Sequence, residues 1–227
     1  MSDTPIASAK RALSYVEDGQ TVGLGTGRAA TAFVRELGRL VAEGLTVRAV
    51  ATSNATAAVA RELHIPLFEL HEVGRLDVTF DGADEVDPNL EMIKGYGGAL
   101  VREKITAASS HRLVILVGPE KMVSQLGERG KLPVEVVPFG LSLAAERLRA
   151  LGCEPVLRES ESGQAYLTDN HNSIFDCQLE PIANPQHLES QILAIPGVLG
   201  TGLFVGMADV VIVDAENGPR VLERKSA

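Results

Sequence analysis

Short apolar runs alternate with longer helix-like stretches through the first half of this 227-residue chain, and that rhythm limits the fold more than any single motif. Thr21 to Leu24, Thr46 to Ala51, Pro66 to Leu70, Val78 to Phe80 and Leu113 to Val117 read as strands. Between and before them, Ala7 to Val16, Ala29 to Leu40, Ala55 to Leu63 and Ala99 to Ser109 read as helices; Phe33, Leu37 and Leu40 fall on one side of the second. Gly, Pro or polar turns bound the segments. Such alternation predicts an α/β fold: a Rossmann-like, mostly parallel sheet with helices on both faces and ligands at the carboxyl ends of its strands.

The texture changes after Gly127. A Pro-Val-Glu-Val-Val-Pro run leads into a helix, Leu141 to Leu151, followed by short strands at Pro155 to Arg158, Gln164 to Thr168 and Ser173 to Gln178 and a helix from Pro185 to Ala194. This pattern predicts a small α+β, ferredoxin-like unit with an antiparallel sheet, inserted into the first. Val198 to Phe204 and Asp209 to Val213 are apolar enough for one of them to rejoin the main sheet. The expected division is a catalytic domain over 1–128 and 205–227, and a smaller domain over 129–204 suited to subunit contact.

Charge and cysteine content exclude several classes. With 21 basic against 30 acidic residues the net charge is −9, opposite in sign to the field that nucleic acid or an anionic membrane would need. The two cysteines, Cys153 and Cys177, have no CxxC spacing, so neither a disulfide framework nor a zinc site is indicated. No run reaches the ~18 apolar residues of a membrane span, and MSDTPIASAKRALSYVEDG has no apolar leader core. A cytoplasmic protein is expected.

Chemistry concentrates in DGADEVDPNLEMIKGYGGALVREK, Asp81 to Lys104. Asp81 and Asp84 follow an apolar strand and belong to the loop at its carboxyl end, with Gly82 and Ala83 between them. An Asx turn or a helix cap accounts for any one of these aspartates as well. Asp81, Asp84 and Asp87 are spaced by three and closed by Pro88, whereas a calcium loop needs oxygens at every second position and a glutamate at its twelfth, so no metal is expected. Lys94 stands beside Gly95, Tyr96 and Gly97 and is able to place an ammonium against an oxyanion. At ~100° per residue, Leu100, Val101, Ile105 and Ala108 form an apolar stripe; Glu103 lies ~60° from Leu100 and ~40° from Ala107, at its edge. A sheltered carboxylate there suits a general base, and a solvated glutamate favoured by the helix dipole suits the position too. Lys121 follows the strand ending at Val117 and reaches the same region.

Gly23 to Arg28 forms a second glycine-rich turn, between a strand and a helix, where backbone N–H groups can meet an anion. The dinucleotide fingerprint fails because Ala30 replaces its third glycine and Thr52-Ser53-Asn54 stands where the acid belongs; the P-loop fails for want of Gly-Lys-Ser/Thr. A phosphate or carboxylate cradle and an unliganded βα turn both remain.

GLGTG, the Thr52-Ser53 strand end, FDGADEVD, MIKGYGGALVREKI and KLPVEVVPFG, in this order, resemble the ribose-5-phosphate isomerases of type A over nearly the whole chain. The resemblance implies an aldose-ketose isomerase that needs no cofactor or metal, acts on a small sugar phosphate and forms a homodimer or homotetramer. It implies Glu103 as general base and acid, Lys94 steadying an enediolate, and Asp81 and Asp84 managing sugar hydroxyls. Thr26, Gly27, Arg28 and Ala29, with Gly82, Ala83, Gly95, Tyr96, Gly97 and Lys121, would hold substrate. Two positions depart from the family's usual wording: Arg28-Ala29 replaces two hydroxyl residues of GTGST, and Tyr96 interrupts KGGG. A related deaminase or lactonase would carry a histidine near the acidic loop, yet His64, His71, His111, His171 and His187 all lie outside 81–104. A non-catalytic sugar-phosphate sensor would carry an output module.

Overall fold

The computed structural model describes residues 7–224. The termini beyond them, which hold part of the stretch read for a leader and the outer domain bounds, lie outside the described residues. In chain order the elements are α1 (Ala7–Ala12), β1 (Thr21–Leu24), α2 (Arg28–Ala42), β2 (Arg48–Ala51), α3 (Asn54–Glu62), α4 (Leu70–Val73) and β3 (Val78–Gly82). There follow β4 (Glu85–Val86), β5 (Met92–Ile93), α5 (Leu100–Ala108), β6 (Leu113–Val117), β7 (Leu132–Val136), α6 (Leu141–Ala150), β8 (Glu154–Leu157) and β9 (Ser173–Gln178). The last are α7 (Pro185–Leu193), β10 (Val198–Thr201), β11 (Leu203–Phe204), β12 (Val210–Val213) and β13 (Arg220–Glu223). By contacts these form two compact units, one of residues up to 83, 102–121 and from 207 onward, the other of 84–101 and 122–206.

The first unit is built on a six-stranded sheet ordered β13-β12-β6-β3-β1-β2. Five strands run parallel and β13 adds an antiparallel edge beside β12. Every residue of the Leu-Val-Ile-Leu-Val strand β6 and of Val-Val-Ile-Val in β12 is buried, as expected of central strands covered on both faces. On one face, Ala9 and Ala12 of α1 and Phe33, Val34 and Leu37 of α2 pack with Val22, Leu24, Val78, Phe80, Val114 and Leu116. Phe33 stacks on Phe80 with centroids 4.0 Å apart. α5 covers the other face. There Gly23 is required by space, since a Cβ on it would fall 1.9 Å from Oγ1 of Thr79 and 2.8 Å from Cγ2 of Thr106.

The second unit contains a four-stranded antiparallel sheet ordered β10-β7-β9-β8. Its chain order, β7-α6-β8-β9-α7-β10, is the ferredoxin-like βαββαβ pattern. Val134, Val136, Phe175 and Cys177 on one sheet face join Ala144 and Leu148 of α6 and Ile192 of α7 in a core. Alternation turns Pro133, Glu135, Arg158 and Asp176 to the opposite face. A small sheet, β11-β5-β4, completes the unit. Glu85 of β4 is fully buried and accepts the amides of Gly127 at 2.6 Å and Arg129 at 2.9 Å. Burial pushes its carboxyl above the usual carboxylate range, against the lowering effect of those two bonds.

Several expected elements differ. The segment Pro66 to Leu70 is not a strand: Leu67 makes a single parallel bridge to Ala49, and the chain then enters α4. Gln164 to Thr168 is reduced to isolated bridges of Ala165 with Glu159 and of Leu167 with Ser173. The opening helix ends at Ala12 and tightens into a 3₁₀ turn over Leu13–Tyr15. Asp209 to Val213 does rejoin the main sheet, as β12 beside β6.

Candidate active site

Asp81 belongs to β3 itself, opposite Ile115 of β6, and not to the loop after it. Its side chain is 1% exposed. Oδ1 accepts the amides of Thr26 at 3.1 Å and Gly82 at 2.7 Å. This puts the strand-end carboxylate against the turn after β1. The contact depends on Gly25, where a Cβ would fall 2.2 Å from Asp81 Oδ1 and 2.6 Å from its Cα.

The same turn is braced from its other side. Thr26 Oγ1 lies 2.8 Å from Thr52 Oγ1 and from Ser53 Oγ, and 3.3 Å from Thr56 Oγ1. Thr56 Oγ1 donates to the Gly25 carbonyl at 2.8 Å, while Ser53 caps α3 by accepting the Thr56 amide at 3.1 Å. Thr52 and Ser53 are therefore buried supports of the turn. Thr56, which sequence reasoning passed over, belongs to the set; its signal is a hydroxyl three residues after a serine N-cap. Gly27, at φ 105°, ends the turn and α2 begins at Arg28. Arg28 is exposed, with Nη2 3.7 Å from Glu120 Oε1, a surface pair of small energetic weight. Ala29 is half-buried, near Gly82. Lys121 closes a 3₁₀ turn over Pro119–Lys121, directly after Glu120.

Glu103 stands in the first turn of α5 and is 3% exposed. The buried face of α5 is Leu100, Glu103, Thr106 and Ala107, whereas Ile105 is 49% exposed. The expected apolar stripe through Val101 and Ile105 is thus rotated, and the glutamate is inside it. The reason lies in the sheet face met by α5, which presents Gly23 and Thr79 to Thr106.

The second unit holds the remaining candidates. Asp84 Oδ2 accepts the Tyr96 amide at 2.9 Å, and the Asp84 amide donates to the Ile93 carbonyl at 2.8 Å. Lys94 is 2% exposed; its amide donates to the Gly202 carbonyl at 2.9 Å and its Nζ lies 5.3 Å from the Phe204 ring centroid. Gly95 takes φ 105° and is buried; Gly97 is exposed. The Tyr96 ring packs against the core of the second unit, and its hydroxyl donates to the Lys131 carbonyl at 3.1 Å. Burial keeps that phenol protonated by raising its pKa far above the ordinary value. Position 96 therefore offers its backbone N–H to Asp84 and turns its ring elsewhere. Asp87 takes the turn role, accepting the amides of Asn89 and Glu91, both at 2.8 Å. Among the described residues no group of three or more His, Cys, Asp or Glu side chains forms a metal cluster, and no helix is long and apolar enough to cross a membrane.

The sequence model for ribose 5-phosphate isomerase A (phosphoriboisomerase A) matches residues 48–218. The chain belongs to this family. A relative named ribose-5-phosphate isomerase A from Roseiflexus sp. strain RS-1 is 50% identical over 222 residues, covering 97% of this chain and 95% of that protein. One of the same name from Gloeobacter violaceus is 51% identical over 221 residues, covering 97% and 96%. The solved ribose 5-phosphate isomerase A of Methanocaldococcus jannaschii superposes with a TM-score of 0.92 at 39% identity, covering 96% of this chain and 97% of that one. A D-ribose-5-phosphate isomerase solved in complex with phospho-erythronic acid gives 0.94 at 37% identity, with 97% of each chain covered.

Gly25→Ala tests the packing of Asp81 on the turn. The variant is expected to lose about 1–3 kcal/mol of stability by overpacking and to exchange the Thr26 and Gly82 amide hydrogens faster. Unchanged exchange at both would contradict the packing.

Proposed function

We propose that this chain interconverts D-ribose 5-phosphate and D-ribulose 5-phosphate through an enediolate, without a metal or redox cofactor. The observation that carries the reading is the burial of an acid, a base and a cation of the kind this chemistry needs: Asp81, Glu103 and Lys94 are 1%, 3% and 2% exposed. Near full-length similarity to proteins named for this reaction supports it. So does the ligand of the solved relative, because a planar carboxylate shares the charge distribution of an enediolate.

The isomerisation moves one proton between C2 and C1. In the proposal, Glu103 removes the C2 proton of the open-chain aldose and returns it to C1, so one carboxylate serves as base and then acid. Lys94 holds its ammonium against the oxygens on which negative charge develops. Asp81 and Asp84 exchange protons with the sugar hydroxyls, which also provides for ring opening. The backbone of Thr26 to Ala29, at the amino end of α2, takes the phosphate with Lys121, and Arg28 supplies a cation where the family commonly has a hydroxyl. Gly82, Ala83, Gly95, Tyr96 and Gly97 line the sugar. The same proposal includes a cytoplasmic location, in keeping with two buried free thiols.

Glu103→Gln is expected to lower kcat for ketose formation by about 10²–10⁴-fold with the fold retained, and EDTA to leave the parent protein's rate unchanged. Near-normal turnover in the variant would refute the role of Glu103, and loss with EDTA would refute metal independence. The proposal also assigns a homodimer or homotetramer, with the small domain over 129–204 suited to the contact: Phe139, Leu143, Leu193 and Leu199 all leave apolar surface exposed. Light scattering at assay concentration is expected to give at least twice the 24.1 kDa chain mass; a monomer mass would contradict it.

A further inference from the structure

The glycine-rich segment after Lys94 is gripped by a side chain more than sixty positions later in the sequence. Arg158, which follows β8, points its Nη1 at two backbone carbonyls, Gly95 O at 3.1 Å and Tyr96 O at 3.2 Å. Its Nε and Nη2 donate to the two carboxylate oxygens of Asp176 at 2.9 Å and 2.5 Å. The Arg158 and Asp176 side chains are 10% and 17% exposed, so the pair is largely withdrawn from water. Around it stand two further restraints. Lys131 Nζ also reaches Asp176, at 2.8 Å, and lies 4.8 Å from the Tyr96 ring centroid. The Tyr166 hydroxyl lies so close to Gly98 that a Cβ there would fall 2.2 Å from it.

This arrangement has a physical logic. Gly95 and Gly98 both adopt positive φ, so the segment has the backbone freedom of glycine and little preference of its own. Its carbonyls need donors where they turn inward. The guanidinium supplies four bonds, two to the carboxylate and two to the peptide oxygens, and a lysine lacks the fork to do the same. The carbonyls it holds belong to the two residues immediately after Lys94.

We infer that Arg158, oriented by Asp176, is a positioning residue that fixes the Lys94 ammonium through the Gly95 and Tyr96 carbonyls. The inference rests on the role proposed above for Lys94. Arg158 acts through the segment, and the cost of losing it is misplacement of the cation, for which shifts on the order of 1 Å reduce rates by about 10²-fold.

A double-mutant cycle on the full-length protein, with ribose 5-phosphate as substrate and kcat as the readout, separates positioning from general support of the fold. Lys94→Gln alone tests the underlying reading: native-like turnover in that variant overturns the role of Lys94 itself. With Lys94→Gln impaired, Arg158→Met is expected to lower kcat by about 10- to 100-fold in the parent background and by less than about twofold in the Lys94→Gln background. Arg158→Lys is expected to recover only part of the loss. An equal loss from Arg158→Met in both backgrounds, or no loss in the parent, overturns the inference. Asp176→Asn, which keeps the shape and removes the charge that orients the guanidinium, is expected to show the same dependence on Lys94 with a smaller loss. Should Arg158→Met fail to fold, the Asp176→Asn cycle decides by the same criterion.

Discussion

The contact between the Asp81 carboxylate and the backbone of the β1–α2 turn organises the strand ends of the first unit. One oxygen accepts two amides, those of Thr26 and Gly82. That single acceptor joins the ends of two neighbouring parallel strands, and it exists because Gly25 presents no side chain to the aspartate. The hydroxyls of Thr26, Thr52, Ser53 and Thr56 then form a bonded patch behind the turn, so that the start of α2, its capping glycine and the α3 N-cap are held together. A turn fixed this firmly keeps its amide groups directed without help from a bound ligand.

The second unit solves a different problem. Lys94, which acts as a cation in the proposal, is buried beside the face of Phe204, where the ring quadrupole favours a cation. The chain around it is rich in glycine, which allows the tight turn and leaves it without stiffness. The antiparallel sheet supplies the stiffness: its polar face, with Arg158 and Asp176 next to each other, receives the carbonyls of Gly95 and Tyr96. A chain of this family can therefore accept tyrosine at position 96, since the ring leaves the segment and only the amide meets Asp84.

Much of this was legible in the sequence wherever a local pattern carried the physics. The apolar runs of β6 and β12, the spacing of Phe33, Leu37 and Leu40 in α2, and Ser53 before α3 announce their elements directly. Elements without a period were not legible: β4 and β5 have two residues each, and β13 is an edge strand with charged ends. Pro66 to Leu70 has the look of a strand, yet only Leu67 finds a partner. Candidate site residues divide the same way. Asp81, Asp84, Lys94 and Glu103 stand out by type and spacing, but the depth of Glu103 was hidden because α5 packs a polar face, through Thr106, on a sheet that offers Gly23 and Thr79. Arg158 and Asp176 were invisible, since their partners lie across the sheet or more than sixty positions away.

In the proposed mechanism a buried carboxylate carries one proton between neighbouring carbons through an enediolate. Turnover of ribose 5-phosphate in D₂O, with deuterium in the ketose located by NMR, follows that proton. Ribulose 5-phosphate carrying solvent deuterium at C1 is expected, because the proton held by the carboxylate can exchange before it is returned. Ketose that still carries no solvent deuterium at C1 after many rounds of reversible turnover would point to a hydride shift and refute proton transfer through an enediolate, as would no ketose at all.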